Sequence, residues 1–351
     1  MTESLLTITD RIPDGLLEAS ARDLHRILPG PTLIHLPGRR PEPLFVSILL
    51  HGNEDTGLLA MQNILHRYDT DGLPRALSLF IGNVAAAAQG LRRLEGQPDY
   101  NRVWPGGDHW MDSPEAAMMA RVVDEMRPRH TFASIDIHNN TGLNPHYACV
   151  NRLDHRHLQL ATLFGRTVVY FIRPTGVQSM AMGALCPATT LECGKPHQPH
   201  GIERATEFVD ACLHLEHIPD HPVAPHDIDL FHTVAQVTIA EQTDFSFSRR
   251  DADLYLNEDL DHMNFREVPA GTVWGRVNRP GACPVARDEH GRDVTADYFE
   301  LHPQAEDAEG TGLLVLRRSV MPSMLTLDER VVRQDCLCYL MERLSPGEPL
   351  L

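Results

Sequence analysis

Leu44-Phe45-Val46-Ser47-Ile48-Leu49-Leu50-His51-Gly52-Asn53-Glu54 is a run of apolar or small residues, two of them β-branched, that leads straight into a His-x-x-Glu pair. The run has the length and composition of a strand buried on both faces. Gly52 follows it and permits a sharp turn, so that His51 and Glu54 can converge on one point. An imidazole nitrogen and a carboxylate oxygen are ordinary zinc ligands, and a catalytic zinc takes three protein ligands and keeps a position open. The alternative is a pair of solvated loop residues. The chain holds 20 His and a second such spacing, His200 and Glu203, but that one opens a predicted helix. His51 instead follows a predicted central strand, on the side where open α/β sheets carry their sites.

A second buried strand ending in His supplies a third ligand. In Thr131-Phe132-Ala133-Ser134-Ile135-Asp136-Ile137-His138 the alternation of strand side chains puts Asp136 and His138 on one face. A carboxylate beside a metal-bound imidazole is the usual partner for its free nitrogen. The plainer reading of His138 is a hydrogen-bonded histidine at a strand end. Thr189-Thr190-Leu191-Glu192 is a further strand-like run, and a Glu inside such a run is costly without a partner. Glu192 is therefore the candidate proton acceptor for metal-assisted hydrolysis, the alternative being a strand-edge Glu facing solvent.

Four motifs in order, His51-Gly-Asn-Glu54, Asp99-Tyr-Asn101-Arg102, Asp136-Ile-His138-Asn-Asn-Thr141 and Leu191-Glu192-Cys-Gly194, resemble the succinylglutamate desuccinylase and aspartoacylase family. This is a branch of the carboxypeptidase-A-like zinc hydrolases, and the resemblance covers about residues 40 to 205, and the last third more loosely. It implies one zinc per chain on His51, Glu54 and His138, and the catalytic glutamate at Glu192. It also implies that Asn101 and Arg102 bind a substrate carboxylate, a role suited to a guanidinium fork.

Two departures from the family pattern stand out. Its oxyanion arginine would align near Leu94, so a short insertion through Gly96-Gln97-Pro98 leaves Arg92 and Arg93 as candidates, with Arg93 preferred. The further substrate arginine expected before the catalytic Glu is missing from Met180–Pro187, and Arg173 is the nearest upstream. That weakens a simple N-acetylaspartate specificity. The Met residues of that segment are more often core filler than ligand contacts.

The formal net charge of −17 argues against a nucleic-acid partner, because phosphate backbones need clustered Lys and Arg. Seven Cys without a compact framework read as reduced thiols. No segment has the roughly 20 apolar residues of a membrane span, and the first residues lack the pattern of a secretion signal. The expectation is a cytoplasmic enzyme with no membrane partner. A homo-oligomer is compatible with the sequence.

Strand and helix signals alternate to about residue 217, which predicts an α/β fold with a mostly parallel or mixed sheet flanked by helices. Helices are expected at 56–68, from a Ser113 cap to Met126, and at 201–217, and strands at 76–82, 131–138, 147–150, 166–172 and 188–192. Residues 218–228 are Pro-rich and polar, a linker. Apolar runs at 231–239, 265–277, 312–318 and 324–327 predict a smaller β-rich C-terminal domain over 229–351, leaving 1–217 as the catalytic domain. The family resemblance implies that this module partly covers the active-site mouth.

The sequence therefore points to a zinc-dependent amidohydrolase that deacylates an N-acyl amino acid or related small amide. Two alternatives remain: a metallocarboxypeptidase acting on peptide C-termini, and a homologue that binds metal or anions without catalysis.

Overall fold

The computed structural model describes residues 5–344. The chain packs as two units: one contains the chain through Asn139 together with His146–Leu230, the other Asn140–Pro145 and the chain from Phe231 onward. The short excursion at 140–145 means that no single cut in the sequence separates them.

The first unit is built on a sheet of eight strands: β1 (Thr7–Thr9), β2 (Thr32–Leu36), β3 (Gly38–Ile48), β4 (Leu73–Ile81), β5 (Ala133–His138), β6 (Tyr147–Val150), β7 (Thr167–Tyr170) and β8 (Ala188–Glu192). They lie in the order β1-β2-β4-β3-β5-β8-β6-β7. β4, β3, β5 and β8 run parallel, whereas β2 is antiparallel to β4 and β6 antiparallel to β8, so the sheet is mixed. Every residue of β5 and of β8 is buried, as expected where crossover helices cover both faces. Those helices are α1 (Thr56–Arg67), α2 (Val84–Gln89), α3 (Pro114–Met126), α4 (His155–Phe164), α5 (Gln178–Met182) and α6 (Pro199–His214). Ser113 caps α3, its hydroxyl accepting from the Ala116 amide, and Pro114 fills the first turn.

The strands and helices expected in this unit appear with ends displaced by a few residues. β1 and β2 were not foreseen, because their short runs lie among prolines and charged residues. The register of β3 on β4 slips between Arg40 and Leu44, where Pro41 and Pro43 cannot donate to the ladder.

The second unit is β-rich. β9 (Asp229–Thr238) pairs antiparallel with β13 (Val285–Asp288) and with β17 (Cys338–Arg343), which carries β16 (Met321–Ser323). A five-stranded sheet has the order β10 (Phe245–Ser246), β11 (Leu254–Leu256), β12 (Val273–Val277), β15 (Gly312–Leu316), β14 (Phe299–His302). Trp274 and Phe299 stack edge to face in its core, their centroids 5.2 Å apart. The run at 324–327 is not a strand. Side-chain amides take the place of a ladder there: Asn144 Oδ1 accepts from the Met324 amide and Asn264 Oδ1 from that of Leu325, each at 2.9 Å. Likewise only Val273–Val277 of the 265–277 run forms a strand, because Val268 makes an isolated bridge to Val320 and Pro269 and Gly271 then form a turn. None of the seven cysteines is joined in a disulfide, and no helix among the described residues is long and apolar enough to cross a membrane.

Candidate metal centre

The His51 turn is held by a backbone constraint on each side. Leu49, fully buried, adopts φ 54°, a left-handed conformation that is costly for a branched side chain and that throws the chain out of the sheet. Gly52 is needed for space rather than for a positive φ: a Cβ there would lie 2.2 Å from the amide nitrogen of Ala87 in α2. The Gly52 amide then donates to the Arg92 carbonyl at 3.1 Å, which brings the 92–102 loop against the turn.

His51, Glu54 and His138 meet at the carboxyl ends of β3 and β5, with ligand-type atoms all within 4.8 Å of one another. Glu54 Oε1 lies 2.8 Å from His51 Nδ1, and Oε2 lies 2.8 Å from His138 Nδ1. All three side chains are buried. The opposite imidazole nitrogens are also engaged: His51 Nε2 is 3.0 Å from Asp99 Oδ1, and His138 Nε2 is 2.7 Å from Asp136 Oδ2. Two imidazoles whose outer nitrogens are fixed by carboxylates, and whose inner nitrogens face a third carboxylate, form a donor set that fits a divalent ion such as zinc. Among the described residues no other group of three such ligands comes together.

The charges are balanced locally. Burial works against ionising Glu54, but His51 and His138 outweigh it and hold the carboxyl far below its ordinary value. The Asp99 carboxyl is pushed well down despite its burial by His51 and Arg92. Burial alone would lower the His138 imidazole, yet Asp136 and Glu54 raise it well above the ordinary histidine value. The Cys193 thiol, beside the site, is raised well above the usual thiol range by burial and by Glu192 and Glu54. It behaves as a small buried residue, not as a nucleophile.

Around this centre sit residues whose roles were not visible in the sequence. Ser47, the register partner of Asp136, donates to its Oδ1 at 2.6 Å. Asn139 ties three segments together: its amide nitrogen donates to Glu54 Oε2 at 3.1 Å, its Oδ1 accepts from the Thr56 amide at the start of α1, and its Nδ2 donates to the Gly194 carbonyl. A buried Ser in an apolar strand and an Asn directly after a metal-type His are the only local signals these residues offered.

The remaining sequence candidates fall as follows. Glu192 is buried at the end of β8 in register with His138. The Asn101 carboxamide is engaged at both ends: Nδ2 donates to Asp136 Oδ2 at 3.2 Å and lies 3.1 Å from His138 Nε2, while Oδ1 accepts from the Gln178 amide at 2.8 Å. Arg102 follows it, half-buried. Of the two upstream arginines, Arg92 joins the cluster, donating to Asp99 Oδ2 at 3.0 Å with Nη1 3.7 Å from Glu54 Oε1. Arg93, preferred from sequence, donates instead to the Gln97 carbonyl at 2.7 Å. Arg173 is half-exposed and paired with Asp108.

The family model of the succinylglutamate desuccinylase/aspartoacylase catalytic domain matches residues 44–215. Among solved structures, a succinylglutamate desuccinylase/aspartoacylase from Rhodobacter sphaeroides superposes with TM-score 0.57 at 14% identity, over 90% of this chain and 88% of that one. The succinylglutamate desuccinylase from Chromobacterium violaceum gives 0.52 at 17% identity, over 88% and 87%. The ectoine utilization protein EutE from Ruegeria pomeroyi gives 0.53 at 12%, over 89% and 88%. At these identities the structural likeness speaks for the fold. No curated protein matches the sequence.

Proposed function

Since residues 44–215 belong to the succinylglutamate desuccinylase/aspartoacylase catalytic-domain family, a family of amide-cleaving hydrolases, we propose that this chain is a zinc-dependent deacylase of an N-acyl amino acid or related small amide. The observation that carries this reading is the convergence of His51, Glu54 and His138 donors within 4.8 Å, beside a Glu192 in register with His138. A zinc ion held by these three residues would act as a Lewis acid on the scissile carbonyl and acidify the attacking water.

The chain's own groups supply the rest. Glu192 takes a proton from the water as its oxygen bonds to the acyl carbon, and delivers that proton to the amide nitrogen as the C–N bond breaks. The products are a free carboxylic acid and an amine. Arg92 is the candidate for stabilising the oxyanion, with Arg93 the alternative. Arg102 holds a substrate carboxylate and fixes its distance from the reacting carbonyl. Asn101 shares that role or, with both ends of its amide already bonded, sets the position of Arg102 beside it. Arg173 is a more distant candidate for substrate binding.

The test is amine release by zinc-loaded protein from N-acyl amino acids and, in parallel, from short unblocked peptides, each with a chelator control. Chelator-sensitive release from the acyl substrates alone is expected. Release from the peptides alone would make the chain a carboxypeptidase, and no release from either despite a filled site would make it a non-catalytic homologue.

A further inference from the structure

At the opposite, amino-terminal end of the central strands, a cavity of about 480 Å³ opens among Arg40 on β3, Arg75 on β4, His130 and Arg156 at the start of α4, with Glu42 and Glu216 on its rim. β5 runs from this end to His138, a distance of roughly 17 Å at about 3.3 Å per residue. The cavity is thus separate from the metal centre.

Arg75 is the anomaly. It is 1% exposed, yet no carboxylate hydrogen-bonds to it. Its Nη atoms donate to the carbonyls of Glu42 and Leu215, at 3.0 and 2.7 Å, and its guanidinium lies 3.6 Å over the Phe132 ring. Its Nε is buried without a partner. The nearest acidic oxygen, Glu42 Oε2, is 3.9 Å away on a side chain that is 52% exposed. A buried cation ordinarily sits against an anion, because carbonyl dipoles and an aromatic face only partly replace its lost hydration.

The neighbouring cations are equally uncompensated. Arg40 donates only to the carbonyls of His214 and Leu215. The Arg156 side chain makes no hydrogen bond or ion pair among the described residues, nor does that of Glu216, which is exposed. Arg40 also opposes the charge of Arg75, which burial already disfavours.

We propose that this cavity is a binding site for a small oxyanion of the phosphate or carboxylate class, held between Arg40 and Arg156 over the buried charge of Arg75. Guanidinium forks match such groups bidentately. An anion there neutralises Arg75 and joins β3, β4 and α4, so its first effect is on stability rather than on the reaction.

The experiment is thermal unfolding of the full-length protein with inorganic phosphate, against sodium chloride at matched ionic strength. The expected result is an upward shift of about 2–4 °C with phosphate beyond that with chloride. Arg156→Ala, which breaks no bond within the protein, should melt like the parent without phosphate, keep its basal activity, and lose at least tenfold in phosphate affinity. Glu216→Gln should bind phosphate more tightly. Arg40→Ala should lose the phosphate response as Arg156→Ala does. No phosphate-specific shift in the parent, or an undiminished shift in Arg156→Ala, overturns the proposal.

Discussion

His138 and Glu192 are register partners on adjacent parallel strands, so their side chains leave the same face of the sheet one strand spacing apart. The candidate proton carrier is therefore positioned against a candidate metal ligand by the backbone ladder itself. Replacing Glu192 by Gln keeps the shape and removes the base. Metal content should remain one per chain while kcat falls by about 10²–10⁴. Metal analysis alongside turnover checks this, and loss of metal instead would make Glu192 a ligand.

Glu54 bridges both histidines. Glu54→Ala should abolish metal binding and leave two buried imidazoles without their common acceptor, costing about 3–5 kcal/mol by the usual penalty for breaking a buried pair. Denaturant titration of chelator-treated parent and variant measures that cost apart from any metal effect.

Asn101 and Arg102 are adjacent yet differently engaged. Asn101→Ala frees Asp136 and should weaken metal affinity about 10–100-fold, as loss of a ligand-orienting partner does. Arg102→Ala should leave metal affinity intact and raise KM. If Asn101→Ala raises only KM, its carboxamide serves the substrate instead.

Arg92 and Arg93 separate by the same logic. Arg92→Lys loses the two-pronged grip on Asp99 and should cost kcat heavily, whereas Arg93→Lys should change it by only a few fold. The reverse ranking would return the oxyanion role to Arg93.

His35 gives a pH dependence away from the metal. Its ring Nδ1 is 2.8 Å from the Ser78 hydroxyl, and burial, helped by Arg129, lowers its pKa from 6.5 to about 4. The folded protein thus keeps the ring neutral where the unfolded chain protonates it. That stability is fully present above pH 6.5 and is lost as the pH falls toward 4. His35→Gln should flatten the stability profile over this window, as read from unfolding midpoints at stepped pH.

Much of the centre was legible because its residues stand at strand ends. A buried apolar run that terminates in His or Glu carries its own explanation, since a polar group there is costly without a partner. The groups that orient the site were less legible. Asp99 reaches His51 across 48 positions, and the adjacent Arg92 and Arg93 part ways, the first bonding Asp99 and the second the Gln97 carbonyl. Short strands among prolines likewise gave no periodic signal, whereas the apolar run at 324–327 read as a strand although Asn144 and Asn264 brace it instead of a ladder.

The sequence by itself determined the candidate ligand types, the buried strand runs that end in them and the family resemblance, because hydrophobic periodicity and residue chemistry are local properties. Only the tertiary structure decided which carboxylate faces which imidazole nitrogen, and that Arg75 is buried without a carboxylate bonded to it. Those outcomes depend on strand register and on contacts between residues far apart in the chain, which close packing selects and local composition does not encode.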